Sequence, residues 1–233
     1  MIDLYNGDCY GIIKQIPDKS IDLILTDPPY KYGTGGIGRS EIGHRAAKLR
    51  HEIDYMSSGY DYSIFNEFLR VCKIPNMLIF CSNLQLHPIL DFFHNYDKLS
   101  STVLVWCKTN PPPLNIAVYK SNLEFCVYVR GKNVTFNFGN VPSEYLNKYY
   151  VSKVIQGKEK VHPAQKPIEL ITRYISVHSK PNDVVLDPFM GSGTTGIVCK
   201  KLHRDFIGIE LDTDIYNVAK NRIDGANTIK PLF

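Results

Sequence analysis

Nowhere in the 233 residues does an apolar run approach the ~18 needed to cross a bilayer. The opening Met1-Ile2-Asp3-Leu4 has neither the basic nor the apolar region of a secretory leader, so a cytoplasmic protein is expected, in a host cytoplasm if the source is viral. Cysteine pairs are missing too. Cys9, Cys72, Cys81, Cys107, Cys126 and Cys199 stand apart, with no Cys-x-x-Cys spacing and no histidine at metal-ligand spacing. No disulfide framework and no metal site are expected, and the cysteines read as buried structural thiols. A strong charge of one sign is absent: the net charge of +4 and pI near 8.6 do not establish nucleic-acid binding, but they allow a local basic face. What remains is ordinary globular composition, 44% hydrophobic and 21% charged, enough for one well-buried core.

Apolar runs of strand length alternate with helical patterns along this chain. Residues 21–25 read as a buried strand, and Pro28 and Pro29 stop it, because proline fixes φ and offers no N–H to a ladder. Asp27 therefore stands at the carboxyl end of a strand, where open α/β sheets place their ligands. The rigid Thr26-Asp27-Pro28-Pro29-Tyr30 backbone presents the Asp27 carboxylate and the Pro28 carbonyl as acceptors beside the Tyr30 ring. That set suits a planar base with an exocyclic amino group, although a proline-stopped strand with an Asx turn reads the same. Further strands are expected at 2–5, 77–81, 102–106, 125–129, 184–186 and 206–209. Helical patterns run through Ile12, Ile13 and Ile16, from Ile64 to Cys72, around Leu86, Ile89 and Phe93, after Pro167 and over 197–201. The alternation predicts a doubly wound, mostly parallel α/β sheet, with the strands at 102–106 and 125–129 as an antiparallel edge. Asp8, just after the first strand, is placed to cap the next helix.

Two segments break the pattern. Residues 31–61 combine many glycines with Lys31, Arg39, Arg45, Lys48, Arg50, His44 and His51. Such a segment behind a strand end reads as a lid or a phosphate-binding loop, or as a solvated loop diluted by Glu41, Glu52 and Asp54. Residues 131–161 interleave Phe136, Phe138, Tyr145, Tyr149 and Tyr150 with Lys132, Lys148, Lys153, Lys158 and Lys160. Lysines for phosphates and rings for stacking suit a nucleic-acid surface, though aromatics also serve cores.

The most specific pattern lies in the last third. Val161-His162-Pro163-Ala164-Gln165-Lys166-Pro167 precedes a helix, with Pro167 at its first turn, where a missing N–H is harmless. The strand Val184-Val185-Leu186 then runs into Asp187-Pro188-Phe189-Met190-Gly191-Ser192-Gly193-Thr194-Thr195-Gly196, and the strand after the next helix ends in Glu210, 23 positions beyond Asp187. Glycines let a backbone approach a cofactor closely, and a carboxylate at the next strand end can accept both ribose hydroxyls. Gly191, Gly193 and Gly196 also satisfy the dinucleotide fingerprint, so an NAD-dependent oxidoreductase is a competing reading. Asp187 would repel a nearby pyrophosphate, which counts against it.

Taken together, Asp27-Pro28-Pro29-Tyr30, the His162-Pro163 to Lys166-Pro167 string, Asp187-Pro188-Phe189 and Glu210 resemble the β class of DNA amino-methyltransferases, in which the catalytic motif precedes the cofactor motif. The resemblance spans nearly the whole chain. It implies a Rossmann-like S-adenosylmethionine methyltransferase fold with circularly permuted motif order, as a single domain over 1–233. It implies site-specific methyl transfer to adenine N6 in double-stranded DNA with base flipping, Asp rather than Ser before Pro28 favouring adenine. Cytosine N4 or RNA stays open as the target, as does a catalytically silent DNA-binding relative, against which the intact Asp27 argues. By resemblance Asp27 and the Pro28 carbonyl hold the target amine, Pro29 stiffens the turn, Tyr30 stacks on the base, and Asn110 with its prolines lines the base pocket. Asp8, Lys166, Asp187, Phe189, Gly191, Gly193 and Glu210 would bind S-adenosylmethionine, Asp8 at its adenine amino group, Lys166 at its carboxylate, Asp187 at its ammonium and Glu210 at its ribose. Residues 31–61 would form a DNA-binding loop and 131–161 the target-recognition region. That region is short and Lys31 is unusual after Tyr30, so a homodimer is expected to share site reading. A cognate restriction endonuclease is the further partner that the resemblance suggests.

Overall fold

The computed structural model describes residues 1–31, 59–111, 119–134, 136–157 and 165–227. Eight strands form one sheet: β1 (Ile2–Asn6), β2 (Leu23–Thr26), β3 (Asn76–Cys81), β4 (Leu99–Lys108), β5 (Leu123–Gly131), β6 (Tyr149–Ser152), β7 (Val184–Asp187) and β8 (Asp205–Glu210). Their order is β1-β8-β7-β2-β3-β5-β4-β6, and β5 alone runs against its neighbours. Among the described residues six α-helices accompany them: α1 (Cys9–Ile12), α2 (Ile64–Val71), α3 (Asn83–His94), α4 (Ile168–His178), α5 (Thr194–Lys201) and α6 (Thr213–Asp224).

The central strands are apolar at nearly every position because both faces are covered. Ile24, Met77, Ile79, Cys81, Val127 and Val129 pack with Ile13 beyond α1, Phe65 and Phe68 of α2, and Phe93 of α3. Their neighbours Leu23, Leu25, Leu78, Phe80, Cys126 and Tyr128 pack on the other face with Leu170 and Ile175 of α4, Val198 of α5 and Ile223 of α6. Side chains of period two thus feed two separate cores. Five of the six cysteines are buried and all are free, and burial pushes the Cys9, Cys72 and Cys81 thiols up to about 12.

The predicted antiparallel pair exists but is not the edge. β4 also pairs in parallel with β6, a strand the sequence reading did not anticipate, formed inside the proposed recognition region. Its exposed, short character gives it a weak periodic signal. Arg173 of α4 holds the approach to β6 by donating to the carbonyls of Tyr145, Asn147 and Tyr149. Phe136 packs against Tyr128 and His178, and Tyr150 joins the second core, so these two rings are structural. Tyr149 is exposed, as are Lys132, Lys148 and Lys153, whereas Lys158 and Lys160 lie outside the described residues. The first helix is shorter than its pattern, four α-helical residues followed by a 3-10 turn over Ile13–Gln15.

The connections that flank β2 and β7 lead away in opposite directions, β7 through α5 to β8 and β2 through α2 to β3. Their carboxyl ends therefore border the crevice where doubly wound sheets bind ligands. Thr26 at the end of β2 donates its hydroxyl to Asp187 Oδ1 at the end of β7, 2.9 Å across that crevice.

Candidate active site

Asp27 follows β2 directly, and the two prolines carry the chain away in extended form. Gln85 of α3 donates to the Pro29 carbonyl at 3.0 Å and Ser82 to the Lys31 carbonyl at 2.9 Å, which anchors the turn to the start of α3. One Asp27 oxygen, Oδ2, pairs with the Lys166 ammonium; the other, Oδ1, is buried and has no partner among the described residues. An unpaired buried acceptor is costly and rare, and this one belongs to the residue that follows the carboxyl end of β2. Burial raises the Asp27 carboxyl above its ordinary value, and the Lys166 charge opposes that rise.

Lys166 is itself shared. Its ammonium lies 2.7 Å from Glu124 Oε1 as well as on Asp27, over the Phe80 ring at 4.9 Å and the Tyr30 ring at 5.4 Å. Glu124 also receives Lys108 at 2.6 Å and the Tyr30 hydroxyl at 2.8 Å. Two carboxylates and two ammoniums close a neutral buried network, the arrangement buried charge requires. Both neighbours of Lys166 are carboxylates, and only 7% of its side chain is exposed. The Tyr30 hydroxyl is held by Glu124 and lies within reach of Asp27, and its half-buried ring packs on the second core. Asn110 accepts from the Val154 backbone at 2.7 Å and so joins the loop after β4 to the segment after β6, while Pro112 and Pro113 lie outside the described residues.

On the other side of the crevice Asp187 is 3% exposed and accepts from Thr26, from the Phe189 backbone at 3.2 Å and from the Thr195 hydroxyl at 2.8 Å. Its oxygens serve the turn, Oδ1 with two donors and Oδ2 with one. Burial lifts its carboxyl to about 7 despite the two hydroxyls. Phe189 lies against Tyr60, ring centroids 5.9 Å apart, and packs on the first core.

Gly191 and Gly193 have φ of +50° and +77°, backbone that other residues rarely adopt. A Cβ on Gly191 would meet nothing within 4 Å, whereas one on Gly196 would sit 2.5 Å from Ile223 Cδ1 and 2.7 Å from Phe206 Cε1. The first glycine thus opens onto space and the third lets α5 lie close on α6 and β8. Glu210 accepts from the Gly191 N–H at 3.0 Å and the Asp212 N–H at 2.9 Å, one per oxygen, and keeps lone pairs for a diol. Thr194 Oγ1, in the same turn, is buried and unpartnered among the described residues. Asp8 caps α1 through the Tyr10 N–H at 3.1 Å and is exposed, and the adjoining Gly7 N–H donates to the Glu210 carbonyl at 2.9 Å. A diol acceptor, an open glycine and an orphan hydroxyl fit the ribose and amino-acid tail of S-adenosylmethionine. Among the described residues the cation bonded to this turn is Arg222, which donates to the Ser192 carbonyl, and the turn's own carboxylate is Asp187. His162 and Pro163 lie outside the described residues.

Residues 21–221 match the family model described as DNA methylase, of the N6/N4 type. The chain belongs to that family. It is 32% identical over 252 residues to the type II methyltransferase M.HinfI of Haemophilus influenzae, covering 98% of this chain and 69% of the relative. It is 30% identical over 244 residues to the type II methyltransferase M2.DpnII of Streptococcus pneumoniae, covering 96% and 90%. Among solved structures it is similar to M1.HpyAVI in complex with S-adenosylmethionine, at 33% identity and a TM-score of 0.70, covering 96% of this chain and all of the other. Family membership disposes of the oxidoreductase reading, and the glycine geometry explains how its fingerprint arose: Gly196 is a packing residue. Within this DNA methylase, Glu124 is the residue that sequence reasoning missed. The signal was a lone carboxylate alternating with Cys126 and Tyr128 on the core-facing side of a strand, where charge is rarely left without a partner.

Proposed function

We propose that this DNA methylase transfers a methyl group from S-adenosylmethionine to the N6 amine of adenine, at a specific sequence in double-stranded DNA. The observation that carries the reading is Asp27 Oδ1, a buried acceptor without a partner among the described residues, at the switch point of the sheet and one residue before Pro28. An amine conjugated to a ring is a poor nucleophile because its lone pair is delocalised. Acceptance of its two N–H bonds by Asp27 Oδ1 and the Pro28 carbonyl favours a pyramidal nitrogen and returns the lone pair to it. When bound, S-adenosylmethionine supplies an electrophilic methyl group carried on a sulfonium. The methylated amine is cationic until it loses a proton, and Asp27 Oδ1 stabilises that charge and takes the proton. Glu210 holds the ribose, with Gly191, Gly193, Thr194, Phe189 and Asp8 around the rest of the cofactor. The amine must leave the base stack to reach a recessed carboxylate, so the target base is flipped.

Residues 31–61 and 131–161 are the DNA-contacting segments of this single domain, with exposed Lys132, Lys148 and Lys153 as phosphate partners; residues 32–58 lie outside the described residues. A second copy of the chain supplies the remainder of the recognition surface, which light scattering at micromolar concentration tests: a monomer that methylates specifically removes the dimer. The type II designation of the relatives supports a cognate restriction endonuclease as functional partner. Nucleoside mass spectrometry after incubation with donor and mixed duplex DNA is the deciding experiment. N6-methyladenine is expected, with activity falling steeply as salt rises. N4-methylcytosine as main product, or methyl groups on RNA alone, would replace this reading.

A further inference from the structure

Glu124 belongs to none of the motifs, yet Lys108, Lys166 and Tyr30 all converge on it. It reaches the catalytic end of the sheet because β5 is reversed: the second residue of β5 lies next to the carboxyl end of β3, the strand that separates β5 from β2. Burial alone would raise its carboxyl, but the Lys166 and Lys108 charges outweigh burial and hold it down to about 2. Glu124 is thus a fixed negative charge 2.7 Å from the ammonium that also grips Asp27.

We propose that Glu124 is a positioning residue for methyl transfer that acts through Lys166: clamped between two carboxylates, the ammonium pins Asp27 by Oδ2 and leaves Oδ1 open to the target amine. This rests on the reading of Asp27 as the amine acceptor. An ammonium has three donors and swings freely on its stem. Without Glu124 it would close on both Asp27 oxygens and compete with the amine for Oδ1. Without Lys166, Asp27 and Glu124 would face one another as buried carboxylates, and the pair would retain a proton that blocks acceptance. Among the described residues the charged and titratable groups that face Asp27 are few. They are Lys166 from the segment before α4, Glu124 from β5, Tyr30 on its own segment and Asp187 from β7, with the buried thiols Cys81 and Cys126 nearby; Lys108 of β4 acts on it through Glu124.

The test compares wild type, Lys166→Met, Glu124→Gln and the double variant as full-length protein. Two readouts are taken: the pH profile of kcat, and the titration of the Asp27 carboxyl by 13C NMR in cofactor-free protein, with Asp27→Asn assigning the signal. Lys166→Met should move the acidic limb and the Asp27 titration up by about one pH unit or more, with kcat lost at neutral pH and regained on raising it. Glu124→Gln alone should lower kcat by about tenfold with KM for the cofactor within about threefold, since the ammonium turns onto Oδ1. In the Lys166→Met background the same change should move the limb back down, so the double variant is more active at neutral pH than Lys166→Met. Additive losses with limbs and titration unmoved would overturn the proposal and leave Glu124 a structural residue. If Glu124→Gln does not fold, Glu124→Asp replaces it, and an unmoved limb and titration there overturn the proposal equally. If wild type methylates no DNA amine, the function reading fails, and the NMR titration alone decides whether Lys166 and Glu124 set Asp27.

Discussion

Asp27 and Asp187 stand at the ends of neighbouring parallel strands, β2 and β7, and Thr26 links one segment to the other, yet the two carboxylates are held in opposite ways. Asp27 is paired through one oxygen with a full charge and keeps the other unpartnered. Asp187 has both oxygens engaged by neutral donors, Oδ1 by the Thr26 hydroxyl and the Phe189 N–H and Oδ2 by the Thr195 hydroxyl, all supplied by the two turns it joins. The strand end gives a carboxylate access to the crevice, and the kind of partner decides its use. An ionic partner on one side leaves an acceptor for a ligand, whereas neutral donors on both oxygens make the same group a fastener of the loop.

The sharpest way to break this contrast is to remove each carboxylate in turn. Asp27→Ala should lower methyl transfer by about a thousandfold or more, while S-adenosylmethionine still binds within about threefold by calorimetry. Asp187→Asn should act the other way round, weakening stability and cofactor affinity by about 1–3 kcal/mol with chemistry retained at saturation. Loss of cofactor affinity in Asp27→Ala would dissolve the distinction.

A second, smaller effect concerns pH. The folded Asp187 carboxyl titrates near 7 against an ordinary 3.8, so the folded state binds its proton more tightly than the unfolded chain. Its contribution to stability is therefore complete below about pH 3.8 and is lost as the pH rises through about 7. In urea titrations the stability of wild type relative to Asp187→Asn should fall between these values and level off above them. A difference that grows with pH would show that the carboxylate is stabilised as an anion, as Glu124 is between its two ammoniums.

Two further substitutions sharpen the loop side. Gly196→Ala places a methyl group against Ile223 and Phe206 and should cost about 1–3 kcal/mol in chemical denaturation through overpacking. An unchanged midpoint would mean that α5 can shift off β8 without loss. Glu210→Ala should weaken S-adenosylmethionine by about 1–3 kcal/mol and leave DNA affinity alone, because it removes the diol acceptor and touches nothing near Asp27. DNA binding that falls in parallel would place Glu210 in both functions.

Much of this molecule was legible in one dimension. Period-two and all-apolar runs located seven of the eight strands, because burial on both faces leaves a signal in every residue of β2, β3 and β7. The proline pair after Asp27 and the glycines after Asp187 marked both sides of the crevice, since they are needed for local backbone reasons that neighbours in sequence already express. β6 was not legible: it alternates between exposed and half-buried positions and is held by Arg173 from a helix more than twenty positions away. Local sequence therefore determined where the strands end, and with that where Asp27, Asp187 and Glu210 reach the crevice. Which of these carboxylates is ionic, which is caged and which remains open was decided only by tertiary structure. Lys166 lies 139 positions from Asp27, and Glu124 comes alongside only because one strand runs backwards, so the rule that function lies at the carboxyl ends of strands could not point to a residue near the start of one. Charge pairing acts through space over a few ångströms, and the fold alone sets those distances.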